Sequence, residues 1–243
     1  MKNTKLLIIL MLSIFQCTIF AERLGIIFSN NDIGCAWRDT DTATTKENAY
    51  RLGTNIAVYI NTDENFNFME IHHNGDLPHP SAPYNAAREI DARTDFNVSF
   101  GGYAYLGVTD LTGIDMLFIN GHDSFTFTTA EKTALKNFIE SGGIVFADDC
   151  ANASSSGFDT DFINLAAELY SPMQTIASTN AVFSSKYTFP DGSAYTSNGY
   201  GTQWNQDPLL GVMVNAPLSG VPEVSSFILL AGSLFLLFVF KKK

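Results

Sequence analysis

One stretch narrows the choice of fold more than any other: LFINGHDSFTFTTAEKTALKNFIESGGIVFADDC, Leu117 to Cys150. Two short apolar runs, Met116 to Ile119 and Ile144 to Ala147, bracket a segment of helical pattern. Thr128 and Glu131 have the spacing of a capping box, in which the threonine hydroxyl takes a backbone N–H from the glutamate and the glutamate takes one in return. Leu135, Phe138 and Ile139 then recur on one helical face, and Gly142-Gly143 releases the chain after the last turn. Strand, helix and strand at this spacing build a right-handed parallel unit, because a right-twisted strand feeding a helix packs back onto its own sheet in that hand. Parallel strands need cover on both faces. The expected fold is therefore α/β: a mainly parallel open sheet with helices on both faces.

Other segments extend this plan. Leu24 to Phe28 is an unbroken apolar run, a strand covered on both sides, and it ends in the loop SNNDIGCAW. Thr44 and Glu47 open a helix in which Leu52, Ile56, Tyr59 and Ile60 recur at helical spacing. Residues Asn61 to Pro83, containing EIHHNGDLPHP, are polar and turn-rich and read as a loop or insertion. A helix from Tyr84 to Arg93, with Ala86, Ala87 and Ile90 on one face, leads to a strand from Phe96 to Phe100, after which GGYAYLG turns the chain. Phe162, Leu165, Ala166 and Leu169 mark a further helix that Pro172 stops. Beyond it, Asp191-Gly192 in KYTFPDGSAYTS is a hairpin signal. Tyr187, Tyr195, Tyr200 and Trp204 offer ring faces that either stack on sugar or cover a sheet edge.

The two ends point to export. Met1 to Ala21 has Lys2 and Lys5, then an apolar run to Phe20 and a small residue, the layout of a secretory signal peptide. Near the other end, Val224 to Phe240 is an apolar run of about 17 residues, at the lower limit for a membrane span. Lys241 to Lys243 follow it and are expected on the cytoplasmic side, leaving the body of the protein outside. The expected organisation is a leader over 1–21, an α/β domain over 22–212, a linker over 213–223 and a span over 224–240. A net charge of −11 excludes a nucleic-acid partner, which needs a basic footprint. Of three cysteines, Cys17 leaves with the leader, so Cys35 and Cys150 remain as a disulfide or as two free thiols.

In an open parallel sheet, groups just beyond the carboxyl ends of the strands converge on a crevice. That geometry gathers Asp32, Cys35 and Trp37 after the first strand, His122 and Asp123 after another, and Asp148, Asp149 and Cys150 after a third. His122, Asp148, Asp149 and Cys150 are the catalytic candidates; Asp32, Cys35, Trp37 and Asp123 are the binding candidates. Cys150 as nucleophile with His122 as base is sound chemistry. Against it, two aspartates precede the sulfur and raise its pKa. Asp148, Asp149 and His122 alternatively suit a divalent cation, and strand-end aspartates also serve as helix caps. His72, His73 and His79, with Glu70 and Asp76, lack metal-site spacing, so no metal and no cofactor is assigned.

Two resemblances sharpen the picture. Val221-Pro222-Glu223, then an apolar helix and a basic cluster, resembles the PEP-CTERM sorting tail, with Val224 where that signal usually has a second proline. The resemblance implies recognition by an exosortase and delivery to the surface or extracellular matrix. The segments FINGHDSFTFTTAEKTALKNFIESGGIVFADDC and RLGIIFSNNDIGCAW...NAYRLGTNIAVYI resemble domain of unknown function 4159, a family similar to the class I glutamine amidotransferase-like fold. It has no established activity, so the resemblance implies a fold and not a reaction. The segment like Arg23 to Ile60 comes last in that family and first here, as in a circular permutation with its lead-in near Asp207 to Val212. Asn180-Ala181 stands where the family tends to have a histidine-proline pair.

Three classes of function remain: a noncatalytic surface module that binds polysaccharide or protein, a hydrolase-like enzyme using a His/Asp site at the sheet edge, and a structural component of the matrix. The expected partners are the membrane, through the tail, an exosortase-like processing enzyme, and an extracellular polysaccharide or protein.

Overall fold

The computed structural model describes residues 22–38, 43–61, 63–150, 157–189 and 208–216. Seven strands form one sheet: β1 (Glu22–Ser29), β2 (Asn65–Ile71), β3 (Asn97–Ala104), β4 (Met116–Gly121), β5 (Ile144–Asp149), β6 (Gln174–Thr175) and β7 (Leu210–Asn215). Their order is β3-β2-β4-β5-β1-β7-β6. The first five positions are parallel, and β7 pairs antiparallel with both β1 and β6. Counting β2 as first and β1 as fifth, the parallel strands run 2-1-3-4-5. In that order the direction of winding reverses between β2 and β4.

The helices are α1 (Ile33–Ala36), α2 (Ala43–Ile60), α3 (Ala82–Arg93), α4 (Thr129–Glu140) and α5 (Gly157–Leu169). Alternation along the strands sorts the core into two layers. Leu24, Ile27, Phe66, Phe68, Phe118 and Phe146 face one way and meet Trp37, Leu52, Ile56 and Ile90 of α2, α3 and the turn after α1. Ile26, Phe28, Leu117, Ile119, Val145 and Ala147 face the other way, against Leu135, Phe138 and Ile139 of α4 and Phe158 and Phe162 of α5. The capping box at α4 is complete: Glu131 N–H donates to Thr128 Oγ1 at 3.3 Å and Thr128 N–H donates to Glu131 Oε2 at 2.7 Å.

Three expectations change. The segment 61–83 is not simply a loop, because β2 lies within it and sits between β3 and β4. Asn65-Phe66-Asn67-Phe68 alternates strictly, with both phenylalanines in the core, and that period of two was its signal. GGYAYLG does not turn at once: β3 continues through Ala104, with Gly102 at φ 82 beside a register shift between Phe68 and Glu70. Met213 to Asn215, expected to open the linker, belong to β7. Among the described residues no helix is long and apolar enough to cross a membrane. The expected leader, the span over 224–240, Val221-Pro222-Glu223, the Asp191-Gly192 hairpin, Tyr195, Tyr200 and Trp204 lie outside those residues.

The sheet has two distinct edges. At the carboxyl edge, Ser29 of β1 is opposite Asp148 of β5, and Asp148 is opposite Asn120 of β4. β7 enters opposite Phe28 and ends with Asn215 opposite Glu22, at the amino edge. Gly211 lies close against Leu24, whose Cδ2 would be 2.7 Å from any added Cβ.

Arg23 fastens this amino edge. It is 2 % exposed, and its guanidinium donates to the carbonyls of Leu24 at 2.8 Å, Ile139 at 2.9 Å and Gly143 at 3.0 Å. Two of these carbonyls belong to the end of α4 and the turn after it, where the helix leaves acceptors without partners of its own. Arg23→Met keeps the apolar stem and removes three bonds from a charged donor. It should lower stability by about 3 kcal/mol, read from the urea midpoint of the folded domain.

Candidate functional site

The carboxyl edge is organised by Asp148, which is fully buried at the end of β5. Its Oδ1 accepts from the Ile33 N–H at 3.0 Å and its Oδ2 from the Gly34 N–H at 2.6 Å. Burial pushes this carboxyl well above the usual range, and the neighbouring Asp32 pushes it further, while the two N–H groups oppose the rise. The turn that delivers those donors starts at Asp32, whose backbone is left-handed at φ 54 and ψ 46. Aspartate is among the few residues that tolerate this conformation. Gly34 follows because a Cβ there would lie 3.3 Å from Asp148 Oδ2 and 3.4 Å from both Cys150 Sγ and His79 Cδ2.

Around Gly34 stands a dry cluster. Cys35 Sγ lies 2.8 Å from His79 Nε2 and takes a hydrogen bond from Arg38 Nη2 at 3.0 Å. Asp32 Oδ1 lies 3.8 Å from the same histidine nitrogen. Cys150 Sγ is 3.9 Å from Asp148 Oδ2 and 4.0 Å from Asn120 Oδ1. Both cysteines are free and buried, so the bridge held open between them is not formed. Burial first, then Asp32 for Cys35 and Asp148 for Cys150, push both thiols up, which keeps them neutral and poorly nucleophilic.

A second, wetter layer surrounds His122. Asp76 Oδ1 accepts from the His122 N–H at 2.7 Å and the Asp123 N–H at 3.0 Å, and Oδ2 meets His122 Nδ1 at 2.5 Å. Burial would raise the Asp76 carboxyl, but those backbone donors and the His122 ring outweigh it and hold it down at about 2. The His122 ring sits 6.1 Å from that of His79, which joins the two layers. His73 is buried, its Nε2 2.8 Å from the Asn120 carbonyl and its Nδ1 taking the Gly75 N–H at 3.1 Å. That pattern makes Nε2 the protonated nitrogen. Glu70, 0 % exposed on β2, accepts from Asn120 Nδ2 at 2.7 Å, and burial pushes it up to about 7 despite that bond.

A group of rings stands beside this edge, Tyr103 on β3, Tyr105 just after it and Tyr84 on α3. Tyr84 is 60 %, Tyr105 50 % and Tyr103 37 % exposed. His72 stacks on Tyr105 with centroids 4.7 Å apart and meets Tyr103 edge-on at 5.8 Å, and Tyr84 stands edge-on to Phe100 at 4.6 Å.

Of the residues expected at the edge, Asp32, Cys35, Asp148 and Cys150 come together in the dry cluster, and His122 and Asp123 gather around Asp76. Asp149 is buried at the end of β5, opposite Gly121. Trp37 is a core residue, fully buried between Phe118 at 5.2 Å and Phe146 at 5.8 Å, and offers no face to a ligand. His122 pairs with Asp76, and the imidazole beside a thiol is His79. The Asp148 carboxylate oxygens are taken by backbone donors rather than turned toward His122. Of the expected stacking residues, the described one is Tyr187, and it lies under the Arg51 guanidinium at 5.3 Å.

The family described as Domain of unknown function (DUF4159) matches residues 67–231, more than half of the chain. The chain belongs to this family. No curated protein matches it. The DUF4159 match begins inside β2 and takes in Asp76, His79, His122, Asp148 and Cys150, while Asp32 and Cys35 precede it.

Glu70 gives this region a pH signature. Folded, it keeps its proton up to about 7; unfolded, it releases it near 4.5. The folded state therefore binds more protons between these values, and stability falls as pH rises from 4.5 through 7. In Glu70→Gln this part of the stability curve should flatten, seen by comparing denaturation midpoints at the two ends of the window. Equal slopes in both proteins would show that the carboxyl titrates normally.

Proposed function

We propose that this chain is an exported, membrane-held surface module that binds polysaccharide through the exposed rings of β3, the turn after it and α3, with the carboxyl edge beside them. The observation that carries the reading is the exposure of Tyr103 and Tyr105 against His72, and of Tyr84 against Phe100. Large apolar rings left in water on an edge strand, the turn after it and the helix beside it are the informative departure from ordinary burial, and a flat ring suits the C–H face of a sugar while its hydroxyl takes a hydrogen bond. A chain of net charge −11 repels polyanions, so the fitting ligand is a neutral or amino-sugar polymer. The leader-like first residues and the apolar, lysine-ended tail support export. The Val221-Pro222-Glu223 order supports handling by an exosortase-like enzyme.

The strand order supports a flavodoxin-like sheet related to the class I amidotransferase-like fold, since 2-1-3-4-5 is the order of that architecture. It supports the permutation as well: the strand that would be last in that order comes first in this chain. Asn215 opposite Glu22 places the two joints side by side. A second reading, a hydrolase-like enzyme, is favoured by the Asp76–His122 pair, in which the carboxylate orients a part-exposed imidazole as a general base requires.

Retention of the full-length protein on insoluble cellulose and chitin tests the binding reading. Tyr84→Ala and Tyr105→Ala should each weaken retention about tenfold on the polymer that is bound. Retention of a Tyr84→Ala/Tyr105→Ala protein equal to that of the wild type would end the proposal. Reducing ends released by the wild type and lost in His122→Ala would move the assignment to the enzyme.

A further inference from the structure

We infer that Asp32, His79 and Cys150 bind a structural zinc ion, with Cys35 as the nearest fourth donor. One ligand atom from each of the three lies within 4.8 Å of the others, and all three residues are buried. Their chemistry fits the metal: a carboxylate, an imidazole and a thiol are zinc donors, and four such groups make a closed tetrahedral site. With Cys35 as fourth donor the site would be closed, and a closed site is structural rather than catalytic, because it leaves no open position for water.

Three further observations point to a cation here. Asp32 Oδ1 is buried and has no hydrogen-bond partner. The gap between Asp32 Oδ1 and His79 Nε2 is 3.8 Å, too long for a hydrogen bond. Donors sharing one tetrahedral zinc at about 2.0–2.3 Å stand about 3.3–3.8 Å from one another, so that gap is a ligand-to-ligand distance. The approach of the shell also depends on Gly34, since a Cβ there would touch Cys150, His79 and Asp148 together. Asp148 stays outside the shell, because backbone N–H groups occupy both of its oxygens. Cys35 Sγ now faces His79 Nε2 at 2.8 Å. Metal binding would have to replace that contact, and the Arg38 guanidinium, which donates to the same sulfur at 3.0 Å, would balance the charge of a thiolate.

The inference does not rest on the polysaccharide reading, and its test does not use polysaccharide. Full-length protein purified under reducing conditions from zinc-supplemented cells should carry about one zinc per chain by elemental analysis. His79→Ala and Cys150→Ser should lose it, and chelation of the wild type should lower its melting temperature. His122→Ala should keep the metal, because that side chain belongs to the Asp76 pair. Should the buried variants fail to fold, cobalt exchanged into the wild type should give the thiolate charge-transfer band expected of sulfur ligation. Metal-free wild type that shows neither a cobalt–thiolate band nor a melting shift with zinc would overturn the site. So would zinc retained in folded His79→Ala and Cys150→Ser, or a Cys35–Cys150 disulfide found by mass in the non-reduced protein.

Discussion

The carboxyl edge of this domain hangs on one buried carboxyl group. A carboxyl taken wholly out of water is costly unless donors meet it, and Asp148 is met by two consecutive backbone N–H groups from the turn after β1. That pair of bonds fixes where α1 begins and which way it points. With it made, Asp32 takes a left-handed backbone, Gly34 packs closely under Asp148, Cys150 and His79, and Cys35 is carried against His79. The adjacency of β1 and β5 supplies the frame, since Ser29 and Asp148 are the last paired rung between them.

What could be read from the sequence was what depends on near neighbours. The β4-α4-β5 unit is marked by a capping box whose two halves are three residues apart, and both of its bonds form. The helical stripes in α2, α3 and α5 follow the same logic: each is a period of the chain itself. β2 escaped because its alternation is written in asparagine and phenylalanine inside a stretch rich in His, Asp and Pro. Its polar partners are also remote, as with the Asn67 N–H, which donates to Asp115 Oδ2 48 residues away at 2.7 Å. The site was legible as an edge but not as a set of pairs. Cys35 meets His79 across 44 residues and His122 meets Asp76 across 46, and no local spacing encodes such meetings. Trp37 looked available to a ligand because it follows a polar loop. Only the arrival of Phe118 and Phe146 from two other strands makes it core.

Water access divides the edge into parts with different capabilities. Neutral thiols beside buried carboxyls cannot attack a substrate that arrives from solvent, so the inner cluster of Asp32, Cys35, His79 and Cys150 is suited to holding the fold. The Asp76–His122 pair and the tyrosines on and beside β3 have solvent at their faces, where an external ligand can reach them. His79 and His122 stand ring to ring at the boundary.

A change in where the chain begins would cost this domain least at the amino edge. Contacts between β1 and its neighbours are made by register, Ile26 with Val145 on one side and Val212 on the other, and these pairings do not depend on which strand is synthesised first. Glu22 and Asn215 are opposite one another, so a chain running from β7 into β1 would need only a tight hairpin, the shortest connection antiparallel strands allow. Opening that hairpin removes one turn and leaves Arg23 still bonded to the end of α4 and Leu24 still packed on Gly211. The Asp148 turn is at the far end of the same strand and is untouched. A cut at the amino edge therefore falls where the sheet loses least, and it leaves the carboxyl edge, with all of its chemistry, clear of both chain ends of the folded domain.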